Sequence, residues 1–289
     1  MTNGYLEPVL NWYASHAREL PWRQPAASPW AILVSEAMLQ QTPVARVLPA
    51  YEAWLARWPT PRSLAGCAAG EAVRQWGRLG YPRRALRLHA AARIITEEHA
   101  GQVPASVAAL AALPGIGSYT AAAVASFAFG QRHAVLDTNV RRVLARLAEG
   151  QEFPPRSTSV AETRLASSLL PDSGAEAARW SVAVMELGAL VCTASRPRCP
   201  DCPVAARCTW RQAGRPAGLR APAAPRYEGS DRQCRGRLLA VLRAAGHPLP
   251  AAQLDPVWPD HQQRARALDG LLADGLAQRL ADGRLALPG

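Results

Sequence analysis

A chain of 289 residues, 49% of them apolar, is long enough to bury a sizeable core and too hydrophobic to be disordered throughout. Its net charge of +11 points to a polyanionic partner, nucleic acid first, and because all 33 basic residues are arginine no side-chain amine exists for Schiff-base chemistry. Without an apolar run of about 18 residues no membrane span is expected, and without a charged lead and apolar core at the N-terminus no secretory signal is expected, so six cysteines argue against a disulfide framework.

Taken in chain order, the predicted elements are almost all helices. Ser28 reads as an N-cap and Pro29 as the first residue of a helix that ends near Leu39. Thr42-Pro43 repeats that signal and predicts a second helix toward Trp58, which leaves Gln40 and Gln41 on an exposed corner. Glu36 sits in the first helix among Ile32, Leu33, Val34, Ala37, Met38 and Leu39. A carboxyl so surrounded has a raised pKa and can carry a proton near neutral pH. The alternative is a solvated helix glutamate, and the residues alone do not choose between them. Further helices are predicted at 64–76, 83–99, 106–112, 118–129, 138–148, 160–170 and 175–191. Strand alternation is nearly absent, so the fold class is all-α.

The stretch LPGIGSYTAAAV, from Leu113 to Val124, joins two of these helices through Gly115 and Gly117. Backbone N–H groups left unpaired there, next to the helix start at Ser118, would form an anion-binding nest, and glycine lets a DNA backbone approach closely. An ordinary turn is the competing reading. Farther along, HAVLDTNVRRVLARL places Asp137 before a helix that carries Arg141, Arg142 and Arg146. Asp137 reads as a helix N-cap; the helix dipole favours its ionised form, which keeps it available to a cation.

The cysteines cluster. Cys192, Cys199, Cys202 and Cys208 follow the spacing C-x6-C-x2-C-x5-C. Thiolate-only ligation suits tetrahedral zinc or an iron–sulfur cluster, and a single C-x2-C pair with a six-residue gap fits the larger cluster better. Cys67 and Cys234 are isolated and read as structural or incidental, as do the helical polar residues Glu186 and His89. Residues 1–213 form the core and 214–230, rich in Pro, Gly, Ala and Arg, a linker. Residues 231–289 form a small unit with helices at 232–245, after Pro250 and at 261–280, then a short hairpin, a winged-helix-like order. This unit carries eight arginines against six acids, so the basic surface belongs mainly to the larger part.

Six segments in order, LPWR, VSEAMLQQTPV, GRLGYPRRALRLHAAA, ALPGIGSYTAAAV, VLDTNVRRVLARL and MELGALVCTASRPRCPDCPVAARC, resemble the MutY-type adenine glycosylases of the helix-hairpin-helix superfamily, over about 20–208. The resemblance implies a six-helix domain plus a helical domain holding a [4Fe-4S] cluster, the latter built from both ends of the core. It implies that Glu36 protonates the target adenine and that Asp137 stabilises the cationic sugar, with Tyr119 and Asn139 in support. Trp22 and Arg23 would line the pocket of the flipped base; Gln41, beside Gln40, and Tyr81 would enter the base stack; Leu113, Gly115, Gly117 and Ser118 would hold the DNA backbone. The family's usual second tyrosine after Tyr81 is Pro82 here. Endonuclease III relatives carry a sugar-attacking lysine where this chain has Tyr119, which implies a monofunctional enzyme. Family members commonly carry a sensor loop with Phe in a C-terminal domain, but Phe127, Phe129 and Phe153 all precede the linker. The implied partner is double-stranded DNA with an adenine mispaired with 8-oxoguanine or guanine, acted on by a monomer in the cytoplasm at the nucleoid. The rivals are a thymine or uracil mismatch glycosylase, which lacks the SEAMLQQT run, and a non-catalytic DNA-binding iron–sulfur protein.

Overall fold

The computed structural model describes residues 4–218 and 226–289; the middle of the expected linker, 219–225, lies outside the described residues. The first helices are α1 Leu6–His16, α2 Pro29–Leu39, α3 Val44–Arg57, α4 Pro61–Ala65, α5 Ala69–Trp76 and α6 Arg83–Glu98. There follow α7 Val107–Ala112, α8 Ser118–Phe129, α9 Thr138–Leu147, α10 Val160–Ser168 and α11 Gly174–Leu190. The chain closes with α12 Thr209–Gln212, α13 Asp231–Ala245, α14 His261–Ala273 and the strands β1 Gln278–Arg279 and β2 Leu285–Ala286. It divides into two compact units: Met1–Ile32, Ala105–Ala111 and Ile116–Pro222 in the first, and Leu33–Pro104, Ala112–Gly115 and Ala223–Gly289 in the second.

The first unit is built on α9 and α11, with α1 against α11. Val143, Leu144, Trp180, Val184 and Leu187 are all at most 5% exposed and share one core with Val9. Arg141 on α9 and Glu162 on α10 form a salt bridge of 2.8 Å, and Ser159 and Glu162 cap α10 reciprocally. Gly174 permits a close crossing, since a Cβ there would lie 1.9 Å from the Gly130 carbonyl oxygen.

α2 begins as expected: the Ala31 N–H donates to Ser28 Oγ at 3.2 Å. It has no polar face, for every residue from Trp30 to Met38 is buried, so it is a central helix rather than an amphipathic one. Thr42 departs from expectation. Pro43 is the N-cap of α3 without a side-chain cap, while the Thr42 hydroxyl donates to the Leu79 carbonyl at 3.3 Å and accepts from Arg84 at 3.0 Å. The helix expected over 64–76 is two helices. A Thr60–Ser63 capping box starts α4 at Pro61, and Gly66 ends it.

Residues 231–289 pack within the second unit. The Gly70 N–H donates to the Pro288 carbonyl at 2.7 Å, an approach that only glycine permits because a Cβ would stand 2.4 Å from that oxygen. The helix expected to run to residue 280 stops at Ala273, because Gly275 turns the chain at φ +67° and β1 then pairs antiparallel with β2. The segment after Pro250 is a 3-10 helix, Ala251–Val257. With the bridge between Leu249 and Leu285, the order in this segment is helix, bridge, helical turn, helix, hairpin.

Candidate active site and nucleic-acid interface

The hairpin between α7 and α8 has the backbone of a tight glycine turn. Gly115 is at φ +80°, and a Cβ on it would lie 2.7 Å from the Cβ of Arg87, so glycine is required twice over. Gly117 is the N-cap of α8 and has no side chain to serve the helix's first N–H groups. Gly115, Gly117 and Ser118 are exposed, which suits a phosphate. Leu113 is 3% exposed: its side chain belongs to the core, and only its backbone faces the turn. Tyr119, on the first turn of α8, is half-buried.

Asp137 caps α9, and the Val140 N–H donates to its Oδ1 at 2.6 Å. Asn139 Nδ2 donates to the other oxygen at 2.9 Å. The Asn139 side-chain amide oxygen in turn accepts from Arg142 at 2.8 Å, and Arg142 also donates to the backbone carbonyls of Gly188 and Cys192 at 2.7 and 2.8 Å. Burial pushes the Asp137 carboxyl above the ordinary aspartate range despite the opposing Val140 and Asn139 hydrogen bonds and the Arg142 charge. Gly188 on α11 makes this packing feasible, since a Cβ there would lie 2.7 Å from Asn139 Cβ and 2.9 Å from its carbonyl oxygen.

Trp22 is buried in a 3-10 turn, and the neighbouring Arg23 donates to Glu186 at 2.8 Å. Arg18 donates to the same carboxylate through its backbone N–H, Nε and Nη2 at 3.0, 2.7 and 2.8 Å. Burial would raise the fully buried Glu186, but the Arg18 and Arg23 contacts overcome it and hold the carboxyl below its usual range. Arg18 is the residue that sequence reasoning passed over; its signal would have been Glu186, a lone acid in the apolar run VAVMELGAL.

The cysteine loop springs from α11. Cys192, Cys202 and Cys208 pack against the first unit's core, and short 3-10 turns at Cys199–Asp201 and Ala205–Arg207 separate the thiols. Arg146 on α9 donates to the Cys192 sulfur at 3.4 Å and to the Thr193 and Ala194 carbonyls at 2.8 and 3.2 Å. Burial pushes the Cys202 thiol up to about 11, and the charges of Cys192, Cys208 and Cys199 add to the rise. Among the described residues no three Cys, His, Asp or Glu side chains stand close enough to hold a single metal ion.

In the second unit Glu36 is 6% exposed on the apolar α2, so the solvated alternative is set aside. The corner after it carries Gln40, half-buried, and Gln41, exposed at φ +54°. Tyr81 is 54% exposed, also at positive φ, +46°. Buried Arg84 ties these two places together, donating to the Gln40 and Gly80 carbonyls at 2.6 and 3.1 Å with its guanidinium 5.4 Å from the Tyr81 ring centre. His89 and Cys67 are structural: His89 Nε2 and the Cys67 carbonyl are 2.8 Å apart, and the Cys67 thiol donates to the Leu64 carbonyl.

A mostly helical chain with a glycine hairpin, a capping aspartate on the next helix and a four-cysteine loop is of the helix-hairpin-helix DNA-repair class. Its residues 34–166 match the family model of the HhH-GPD superfamily base excision DNA repair protein. It is 52% identical to an adenine DNA glycosylase of Mycolicibacterium smegmatis over 97% of this chain and 95% of that one. Among solved structures, a thermostable thymine-DNA glycosylase superposes with a TM-score of 0.66 at 27% identity, covering 72% of this chain and 95% of that one. A trapped endonuclease III–DNA covalent intermediate, 24% identical, shares the fold with a TM-score of 0.62 over 73% of this chain and 95% of that one. The chain belongs to the adenine DNA glycosylase family. Among the described residues no helix is long and apolar enough to cross a membrane.

Proposed function

We propose that this chain is a monofunctional glycosylase that hydrolyses the N-glycosidic bond of an adenine mispaired with 8-oxoguanine or guanine in double-stranded DNA. The observation that carries the chemistry is the carboxyl of Glu36, 6% exposed on a helix with no polar face. A carboxyl held out of bulk water on such a helix suits a general acid, here delivering a proton to N7 of the flipped base. Departure of the adenine leaves a cationic sugar. Asp137 faces that cation: a desolvated carboxylate attracts positive charge more strongly than a hydrated one, and Asn139 and the α9 N-terminus fix its orientation. Water then completes the hydrolysis, the division of labour between two carboxyl groups seen in sugar hydrolysis. Tyr119 supports the site and supplies no amine, so no strand-cleaving Schiff base forms.

Exposed Gln41 and Tyr81 are the side chains assigned to the base stack, and Gly115, Gly117 and Ser118 the backbone assigned to phosphate. Trp22 lines the base pocket; Arg23 holds its edge through Glu186. Cys192, Cys199, Cys202 and Cys208 are assigned to a [4Fe-4S] cluster. Support comes from an all-sulfur donor set within one short loop, with Cys192, Cys202 and Cys208 against the same core and the C-x6-C-x2-C-x5-C spacing. The cluster would cross-link the loop after α11. Purified protein is expected to be brown, with iron and acid-labile sulfide in equal amounts and to run as a monomer; stoichiometric zinc in colourless protein overturns the cluster.

The deciding experiment offers duplexes with A opposite 8-oxoguanine, G or T, and with T or U opposite G. Release of adenine from the first two, abolished by Glu36→Gln with DNA binding retained, is expected. Preferential release of T or U sinks the reading.

A further inference from the structure

Residues 231–289 take no part in the chemistry above, yet they reach the loop that carries Tyr81. Between α5 and α6 four successive carbonyls are each occupied by a side chain from outside the loop. Arg243 of α13 donates to Gly77, Arg46 of α3 to Arg78, and Thr42 to Leu79 at 3.3 Å. Gly80 accepts from Trp76 Nε1 at 2.9 Å and from Arg84 at 3.1 Å. This anchoring explains the backbone: Gly77, Gly80 and Tyr81 stand at φ +53°, +84° and +46°. A tyrosine relaxes from that region unless its surroundings hold it there.

Arg243 is the anchor that comes from the C-terminal segment. Its Nε also donates to the Val73 carbonyl at 2.8 Å, and Arg74 donates back to the Arg243 carbonyl. The placement is costly, for Arg243 Nη2 is buried with no hydrogen-bond partner among the described residues. At the far end of the loop Asp274 of the same segment pairs with Arg83 at 3.0 Å. Both ends of the loop are thus held from one piece of chain.

We propose that residues 231–289 serve as the mount of the Tyr81 loop, with Arg243 the positioning residue that fixes how Tyr81 meets the duplex. The segment thereby sets mispair discrimination without touching the mispair. A preorganised aromatic wedge spends no binding energy on its own ordering, so the benefit falls on the complex in which it is inserted. This inference rests on the assignment of Tyr81 to the base stack.

The test is a double-mutant cycle on the full chain with Arg243→Met, Tyr81→Ala and the pair. The readout is the ratio of affinities for a duplex with uncleavable 2′-fluoro-adenosine opposite G and for a fully paired duplex, with thermal unfolding recorded alongside. Each single change is expected to lower the ratio about tenfold, and the pair no further than Tyr81→Ala alone. The mount is overturned if the two losses multiply, or if Arg243→Met leaves the ratio intact while Tyr81→Ala lowers it. If Tyr81→Ala leaves the ratio intact, the assignment of Tyr81 fails first and the mount falls with it. Should Arg243→Met not fold, Asp274→Asn runs the same cycle from the other end of the loop, with the same criteria.

Discussion

In the proposed reaction Asp137 has two jobs, as helix cap and as counter-charge to the sugar cation, and substitution separates them. Asparagine is as good an N-cap as aspartate, so Asp137→Asn is expected to cost less than about 1 kcal/mol in thermal unfolding while the single-turnover rate falls by orders of magnitude. A comparable loss in both would mean that the residue matters as a cap alone. The pH dependence follows from the same carboxyl. Its folded pKa is raised, so lowering the pH protonates it, and the charge facing the sugar cation is lost, before an ordinary aspartate of about 3.9 would titrate. The acid limb of the rate should therefore lie above that value in the wild type and be absent from the residual rate of Asp137→Asn. These two acids illustrate how much of the site the sequence discloses. Asp137 was legible as a cap because capping is local. Glu36 was legible only as a question, since burial is decided by chain that packs around α2 from elsewhere. Arg84 was not legible at all, being one arginine among 33 whose partners come from two places far apart in sequence, the end of α2 and the loop before α6.

Among elements, α11 does most to hold the first unit's polar network, through Glu186 and Gly188 on its buried side. Glu186→Ala leaves two guanidiniums without their carboxylate and should cost about 3 kcal/mol, measured by denaturant unfolding. Since the Glu186 carboxyl is depressed in the folded state, its contribution is complete above the unfolded value of about 4.3 and disappears as pH falls through the lower folded value. The wild type should lose stability over that acid window, and Glu186→Gln should not show this loss. Gly188→Ala drives a methyl group into Asn139, so it should depress both unfolding temperature and rate, whereas Ala189→Gly should spare the rate. Helix starts such as α2 and α8 were readable because proline, serine and glycine act on their own turn. Thr42 was misread for the same reason turned around: Thr-Pro is a local cap signal, but its hydroxyl is claimed by Leu79 and Arg84, far away in sequence. The break between α4 and α5 was missed because Gly66-Cys67-Ala68 looks helical unless the Thr60 box has already fixed where α4 begins.

For the whole molecule, the order of motifs was enough to give the class of fold, because each motif marks one helix start, turn or loop of it. What the order did not give was the attachment of the C-terminal segment, which depends on single hydrogen bonds such as Gly70 to Pro288. The net charge of +11 carries its own expectation: affinity for duplex DNA should fall steeply and linearly on a plot of log K against log salt. A flat plot would detach the arginines from DNA binding. The Tyr81 loop has a last consequence, for digestion. A protease that cuts after tyrosine must draw the flanking main chain into its own cleft, and an accessible ring is no help if the adjoining carbonyls are already engaged. The intact chain should therefore resist cleavage at its most prominent aromatic side chain and be nicked there once Arg243 is replaced, which makes a gel lane a direct gauge of how firmly that tyrosine is held.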